Sequence, residues 1–187
     1  MTEQPARKRD AAATRLALLD AAAKLFAERG FDRTTVRDIA KEAGANQSLL
    51  FRYFGSKEAL FEAVIARNTR EQIATTAPER LFSTSLRSML EPGGERNRTL
   101  ETYLRSPGSD SAAAAMRQEL GREYASTLAT LTDAPDAELR ADLALAWLLG
   151  IGLVREITAK EPLAGADPDD ICRLVLTATR TLLERSE

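Results

Sequence analysis

The stretch VRDIAKEAGANQSLLFRYFG, Val36 to Gly55, decides how the chain is read. Ile39 supplies an apolar inward position on a short helical segment, and Ala40 is small enough to let a second helix cross closely. Gly44 stands where the chain must turn sharply, a place for positive φ. Leu50 and Phe54 then return to the same core, one helical turn apart. Two short helices joined by a tight turn containing Gly form the helix-turn-helix pattern, in which the first helix braces the second so that its outer face enters a major groove. The same pattern also describes an αα-corner in a bundle whose polar residues meet only water.

The outer face follows from a turn of about 100° per residue. With Leu50 inward, Ser48 and Arg52 lie almost opposite it, Gln47 and Phe51 on one flank, Leu49 and Tyr53 on the other. Arginine pairs bidentately with guanine O6/N7 and glutamine with adenine N6/N7. Tyr53 and Lys57 suit phosphate contacts, Lys57 beside the start of a further helix whose backbone N–H groups also favour phosphate. Asn46 is an N-cap for the reading helix, as Thr34 or Thr35 is for the one before it.

The chain as a whole is slightly acidic, with 26 basic and 28 acidic residues. Residues 1–70 hold 13 basic and 9 acidic residues, a net of +4, whereas residues 71–187 hold 13 and 19, a net of -6. A basic module for an anionic partner joined to an acidic body accounts for that asymmetry. There is no histidine. His-based acid/base chemistry, Ser-His-Asp triads and His-containing zinc sites are therefore excluded. Cys172 is the only cysteine and reads as a small buried hydrophobe beside Ile171, Leu174 and Val175. Asp167, Asp169 and Asp170 read as helix N-terminal charge, not a metal site. The N-terminus lacks the apolar region of a secretory signal, and the apolar run Leu143–Val154 falls short of the ~20 residues of a bilayer span. A cytosolic protein without cofactor, metal, catalytic residues or membrane association is expected.

Around this unit the pattern is helical throughout. Leu16, Leu19, Ala23 and Phe26 form a stripe on a helix starting at Ala12 and stopped by Gly30. Ser56 caps a fourth helix that carries Leu60, Phe61, Val64 and Ile65 to about Thr76, before Pro78. Further helices are expected at 79–90, 97–105, 110–131, 136–159 and 168–184, separated by Pro/Gly/Asp punctuation. The fold class is all-α with about nine helices. Residues 1–11 form a flexible basic arm, 12–56 a three-helix DNA-binding domain, and 57–187 a helical ligand-binding and dimerisation domain. Arg7, Lys8, Arg9 and Arg15 suit either a phosphate-contacting arm or a solvating tail.

The run LLDAAAKLFAERGFDRTTVRDIAKEAGANQSLLFRYFGSKEALFEAVI closely resembles the DNA-binding region of TetR-family transcriptional regulators. Its pieces AAAKLFAERGF, TTVRDIAKEAG, LLFRYF and SKEALF agree with that family in order and spacing over roughly residues 14–65. The resemblance implies a homodimer with one helix-turn-helix per subunit, a larger C-terminal ligand-binding domain, and repression of a double-stranded DNA operator. It points to Thr35, Arg37, Asn46, Gln47, Ser48, Arg52, Tyr53 and Lys57 as DNA contacts. Ser48 departs from the family's frequent Gly, Leu49 from a common Thr, and Phe51 from a frequent Tyr.

In the acidic body, ELRADLALAWLLGIGLVREI is apolar nearly all round and must be buried on two faces. One side carries Leu139, Leu143, Ala146, Trp147, Gly150, Leu153, Val154 and Ile157. The other carries Leu145, Leu148, Leu149 and Gly152, which with Leu174 and Ala178 of the last helix are expected at a dimer interface. In the family the last two long helices commonly form a dimeric four-helix bundle. A two-fold dimer requires a pseudo-palindromic site. Phe82, Leu86, Met89, Tyr103, Leu104, Met116, Leu120, Tyr124 and Trp147 are the candidate lining of a pocket for a largely apolar effector.

Overall fold

The computed structural model describes the backbone of residues 4–91, 111–156 and 158–183, and the side chains of 10–91, 118–155 and 158–183. Eight helices lie among the described residues, with no strand: α1 Gln4–Arg29, α2 Val36–Glu42, α3 Gln47–Phe54, α4 Lys57–Thr75, α5 Pro78–Leu90, α6 Ser111–Ala129, α7 Ala137–Glu156 and α8 Pro168–Leu183. The helix expected at 97–105 lies outside the described residues.

The helix ends occur where local chemistry puts them. Gly30 takes φ +79° and donates its N–H to Phe26 O at 2.9 Å, closing α1. The buried Thr34 hydroxyl donates to Gly30 O at 2.8 Å and Leu25 O at 3.1 Å, tying the loop back onto that helix end. Ser56 Oγ accepts from Ala59 N at 3.0 Å at the head of α4. Pro78 begins α5 and Pro168 begins α8, positions where a missing N–H is harmless. Asp167 Oδ1 accepts from Asp169 N at 2.8 Å, so this acidic cluster is a helix cap. The start of α1 differs from expectation. The helix begins at Gln4 rather than Ala12, because Pro5 is tolerated in a first turn and the residues after it are helix formers without glycine.

The chain divides into two compact units, Met1–Arg67 and Asn68–Glu187, and the boundary falls within α4. In the first, Leu18, Ala22, Leu25 and Phe26 of α1 enclose Ile39 of α2, Leu50 of α3, and Leu60, Phe61 and Val64 of α4. Phe26, Phe31 and Phe61 meet with centroids 5.0–5.6 Å apart, Phe26 and Phe61 edge to face. In the second, α5 packs against each of α6, α7 and α8, α6 against α7, and α7 against α8. Its core holds Leu81, Phe82, Leu86, Met89, Tyr124, Leu128, Ala141, Ala144, Leu148, Ile171 and Cys172. Burial raises the Cys172 thiol above its ordinary pKa. Arg140 donates to Thr181 O and Leu182 O, both at 3.3 Å, satisfying carbonyls at the end of α8.

Burial in this chain distinguishes the faces of α7. Leu148 is buried in the core and Gly152 is also buried, while Leu145 packs partly against that core. The inward face is the one carrying the small Ala141 and Ala144, which permit close helix approach. Leu139, Leu143 and Trp147 consequently face outward, at 59%, 43% and 40% exposure.

The connection between α2 and α3 depends on one residue. Gly44 takes φ +62° and its N–H donates to Lys41 O at 3.2 Å, while Ala45 N donates to Ala40 O at 2.9 Å. These two bonds are a Schellman closure. A Cβ at Gly44 would meet nothing within 4 Å, so Gly44→Ala tests the backbone alone. The substitution is expected to destabilise by about 1–2 kcal/mol, read as a lowered midpoint in urea unfolding followed by circular dichroism. An unchanged midpoint would show that the left-handed turn is not a constraint on folding.

Candidate nucleic-acid interface

The reading helix is held from one side and open on the other. Leu50 is fully buried, Leu49, Tyr53 and Phe54 pack half-buried against the same core, and Gln47, Ser48, Phe51 and Arg52 are exposed. Asn46 Oδ1 accepts from Ser48 N at 2.9 Å and caps α3. That leaves the amide NH2 of this exposed residue facing outward chemistry with its two donors. Gly55, at φ +83°, donates to Phe51 O at 2.8 Å and ends the helix after two turns.

Thr35, Arg37 and Lys41 belong to α2 and its cap. Thr35 and Asp38 form a capping box: Asp38 N donates to Thr35 Oγ1 at 3.2 Å, and Thr35 N donates to Asp38 Oδ2 at 3.1 Å. The Thr35 hydroxyl proton goes to Asp38 Oδ2 at 2.6 Å. Thr35 thus acts here as a cap, with its donor engaged inside the protein. Its hydroxyl, then its backbone N–H, hold the Asp38 carboxyl below its ordinary pKa. Glu42, the other acid of α2, is paired with Lys24 at 2.6 Å, and its carboxyl too is held low by that lysine. Both acids beside the reading helix are therefore committed to internal partners, and α3 itself contains none. Arg37 and Lys41 are exposed.

Two basic residues are placed in ways the sequence does not disclose. Lys57 is half-buried with Nζ 4.0 Å from the centroid of Phe31, a cation–π contact. Arg15, grouped by sequence with the basic N-terminal run, lies over the Phe54 ring at 4.9 Å. Arg7, Lys8 and Arg9 lie in α1, with side chains outside the described set. Phe51, placed by the sequence on the flank with Gln47 but not among the expected DNA contacts, is 51% exposed. The signal was its position on the helical wheel between Gln47 and Ser48.

The candidate effector residues are placed as follows. Phe82, Leu86, Met89 and Tyr124 are together in the second unit's buried core, Leu120 is half-buried, and Trp147 is on the outward face of α7. Tyr103 and Leu104 and the Met116 side chain lie outside the described residues. Among the exposed candidates for an interface are Leu149 at 48%, Leu174 at 61% and Ala178. No group of three or more potential metal ligands, and no helix long and apolar enough to cross a membrane, occurs among the described residues.

Comparison with known proteins agrees with this geometry. Residues 18–64 match the family model of bacterial regulatory proteins of the tetR family, and residues 76–183 that of the tetracyclin repressor-like C-terminal domain. The chain is 30% identical over 177 residues to an HTH-type transcriptional repressor of Mycobacterium tuberculosis, covering 90% of this chain and 88% of that one. A TetR transcriptional regulator from Rhodococcus sp. RHA1 shares the fold with a TM-score of 0.71 at 19% identity, covering 91% of this chain and 97% of that one. The regulator FadR from Bacillus subtilis, solved in complex with stearoyl-CoA, shares it with a TM-score of 0.53 at 17% identity over 90% of this chain and 97% of that one. With the helix-turn-helix braced on Leu50 and both family models matched in order along the sequence, the chain belongs to the TetR family of bacterial transcriptional regulators, which are DNA-binding proteins and not enzymes.

Proposed function

We propose that this regulator is a cytoplasmic homodimeric repressor that binds a pseudo-palindromic operator and is released by a small, largely apolar effector. The observation that carries the operator half of this reading is the outer face of α3. Gln47, Ser48 and Arg52 are exposed on a helix whose opposite side is anchored by the buried Leu50, α3 contains no acid, and Asp38 and Glu42 of α2 are engaged by Thr35 and Lys24. Gln47 and Arg52 supply base-edge hydrogen bonds and Ser48 lies between them. Asn46, Arg37 and Tyr53 flank them toward the backbone. Thr35 orders the end of α2 through its capping box, and Lys57 contributes positive charge from its seat on Phe31.

The dimer rests on exposed apolar area. Leu139, Leu143 and Trp147 recur at helical spacing on α7, and Leu174 and Ala178 on α8. A set of large apolar side chains exposed on two neighbouring helices is the signature of a protein–protein surface. The effector is placed in the second unit on the strength of its apolar interior around Phe82, Leu86, Met89 and Tyr124. The Bacillus subtilis neighbour with stearoyl-CoA is in line with an apolar ligand. Release follows as a population shift: the effector favours a conformer, reached by a tilt of α4, in which the two reading helices no longer match the half-site spacing. A differential affinity of about 1–3 kcal/mol yields a 5–150-fold change in operator binding.

Selection from a random pool of duplex DNA is expected to return a two-fold-related site. Arg52→Ala should then lose roughly 1–3 kcal/mol of specific binding and relax preference at one base pair per half-site. A selection that enriches no sequence, or an Arg52→Ala variant with unaltered preference, contradicts the reading role. Light scattering on the purified protein should report two chains of 20.4 kDa, and the double variant Leu143→Glu/Leu174→Glu should report one. A dimer that survives both charges lies elsewhere on the surface. Apolar small molecules screened for release of the selected duplex should include one that weakens binding within the range above; one that binds tightly and leaves operator affinity unchanged refutes the coupling.

A further inference from the structure

The chain contains six phenylalanines. Phe26, Phe61 and Phe82 are buried, Phe31 and Phe54 are half-buried, and Phe51 alone stands 51% exposed. It does so on the outer arc of α3. Taking about 100° per residue, Phe51 falls between Gln47, one turn before it, and Ser48, on the arc that ends at Arg52. A large apolar ring exposed among polar and basic side chains has no partner in its own core and is solvated at a free-energy cost in the unbound protein.

Its surroundings limit what covers it. Gln47, Ser48 and Arg52 are hydrogen-bonding side chains, α3 contains no acid, and Arg37 and Lys41 are exposed on the preceding helix. That electrostatic setting, basic and without an acid on α3, matches a polyanion. The ring has no hydroxyl, so it offers nothing to a phosphate oxygen. Within a major groove the apolar feature available to such a ring is the thymine C5-methyl group.

We propose that Phe51 is a specificity-determining residue that reads a thymine by packing on its C5-methyl group, at a position adjoining the base pair read by Gln47. This rests on the operator reading above and extends it. Cytosine at the same position lacks the methyl, and a purine presents a hydrogen-bonding edge to an apolar ring, so the contact discriminates against every other base without a hydrogen bond of its own.

The test removes only the methyl. In the duplex recovered by selection, each thymine of one half-site is replaced singly by deoxyuridine, and affinity is measured by fluorescence anisotropy for the full-length chain and for Phe51→Ala. Because Phe51 is exposed, the alanine variant is expected to keep the far-UV circular dichroism and the melting temperature of the parent. One thymine should be sensitive in the parent, its uracil version binding about fourfold more weakly, the factor equivalent to the ~0.8 kcal/mol of one methyl taken out of water. Phe51→Ala should bind thymine and uracil versions equally at that position. The proposal is overturned if the parent tolerates uracil at every position, or if Phe51→Ala retains the fourfold ratio. A uniform loss in Phe51→Ala with no thymine-uracil difference in the parent also overturns it, since the ring then lies on the sugar-phosphate backbone. If selection yields a specific site but uracil is tolerated, this inference alone fails; if it yields none, the operator reading fails first.

Discussion

At Gly44 the backbone turns through φ +62°, and the two hydrogen bonds around it end one helix and aim the next. Everything on the outer side of α3 depends on that direction. The turn brings Leu50 into the core formed by α1, α2 and α4, and once Leu50 is inward, the helical period leaves Gln47, Phe51, Ser48 and Arg52 outward. Were the crossing different by one residue of helical phase, the apolar and polar faces would be exchanged for their flanks. The chemistry of the interface is therefore a consequence of a backbone conformation that only glycine adopts freely.

Much of this unit was legible from the sequence because its signals are local. Thr35, Asn46 and Ser56 act as caps within a few residues of themselves, and Gly30 and Gly44 end helices at the positions where the apolar period stops. The inward set, Leu50 above all, followed from periodicity. What was not legible is contact between residues distant in sequence. Lys57 on the Phe31 ring, Arg15 on the Phe54 ring and Lys24 on Glu42 are products of tertiary packing. Thr35 is a local case, expected both as a cap and as a DNA contact, and its hydroxyl proton is engaged by Asp38 three residues on.

The second unit shows a different limit. A helix apolar all round, such as α7, holds no phase information from which to choose its inward face. The choice is made by volume: Ala141 and Ala144 allow close packing, and Leu148 follows them inward, which turns Leu143 and Trp147 out. On α8, where polar residues mark one side, Ile171 and Cys172 lie inward and Leu174 outward without ambiguity. Net charge was similarly uninformative at the level of the whole chain. The local balance matters, because of the two acids of α2 Glu42 is charge-paired with Lys24 and Asp38 is hydrogen-bonded by Thr35.

The capping of α3 has a further consequence. Leu50, the Asn46 side chain and the Gly55 turn hold the helix, whereas Gln47, Ser48, Phe51 and Arg52 touch none of the core. The side chains that hold the helix and those exposed on it are different residues on the same two turns. Substitution of an exposed reader leaves the buried set intact, and surface changes of that kind usually alter stability by no more than about 0.5 kcal/mol. On the proposed operator reading, a lineage carrying this scaffold is thus free to drift in the sequence it recognises, one exposed position at a time, through intermediates that all remain folded.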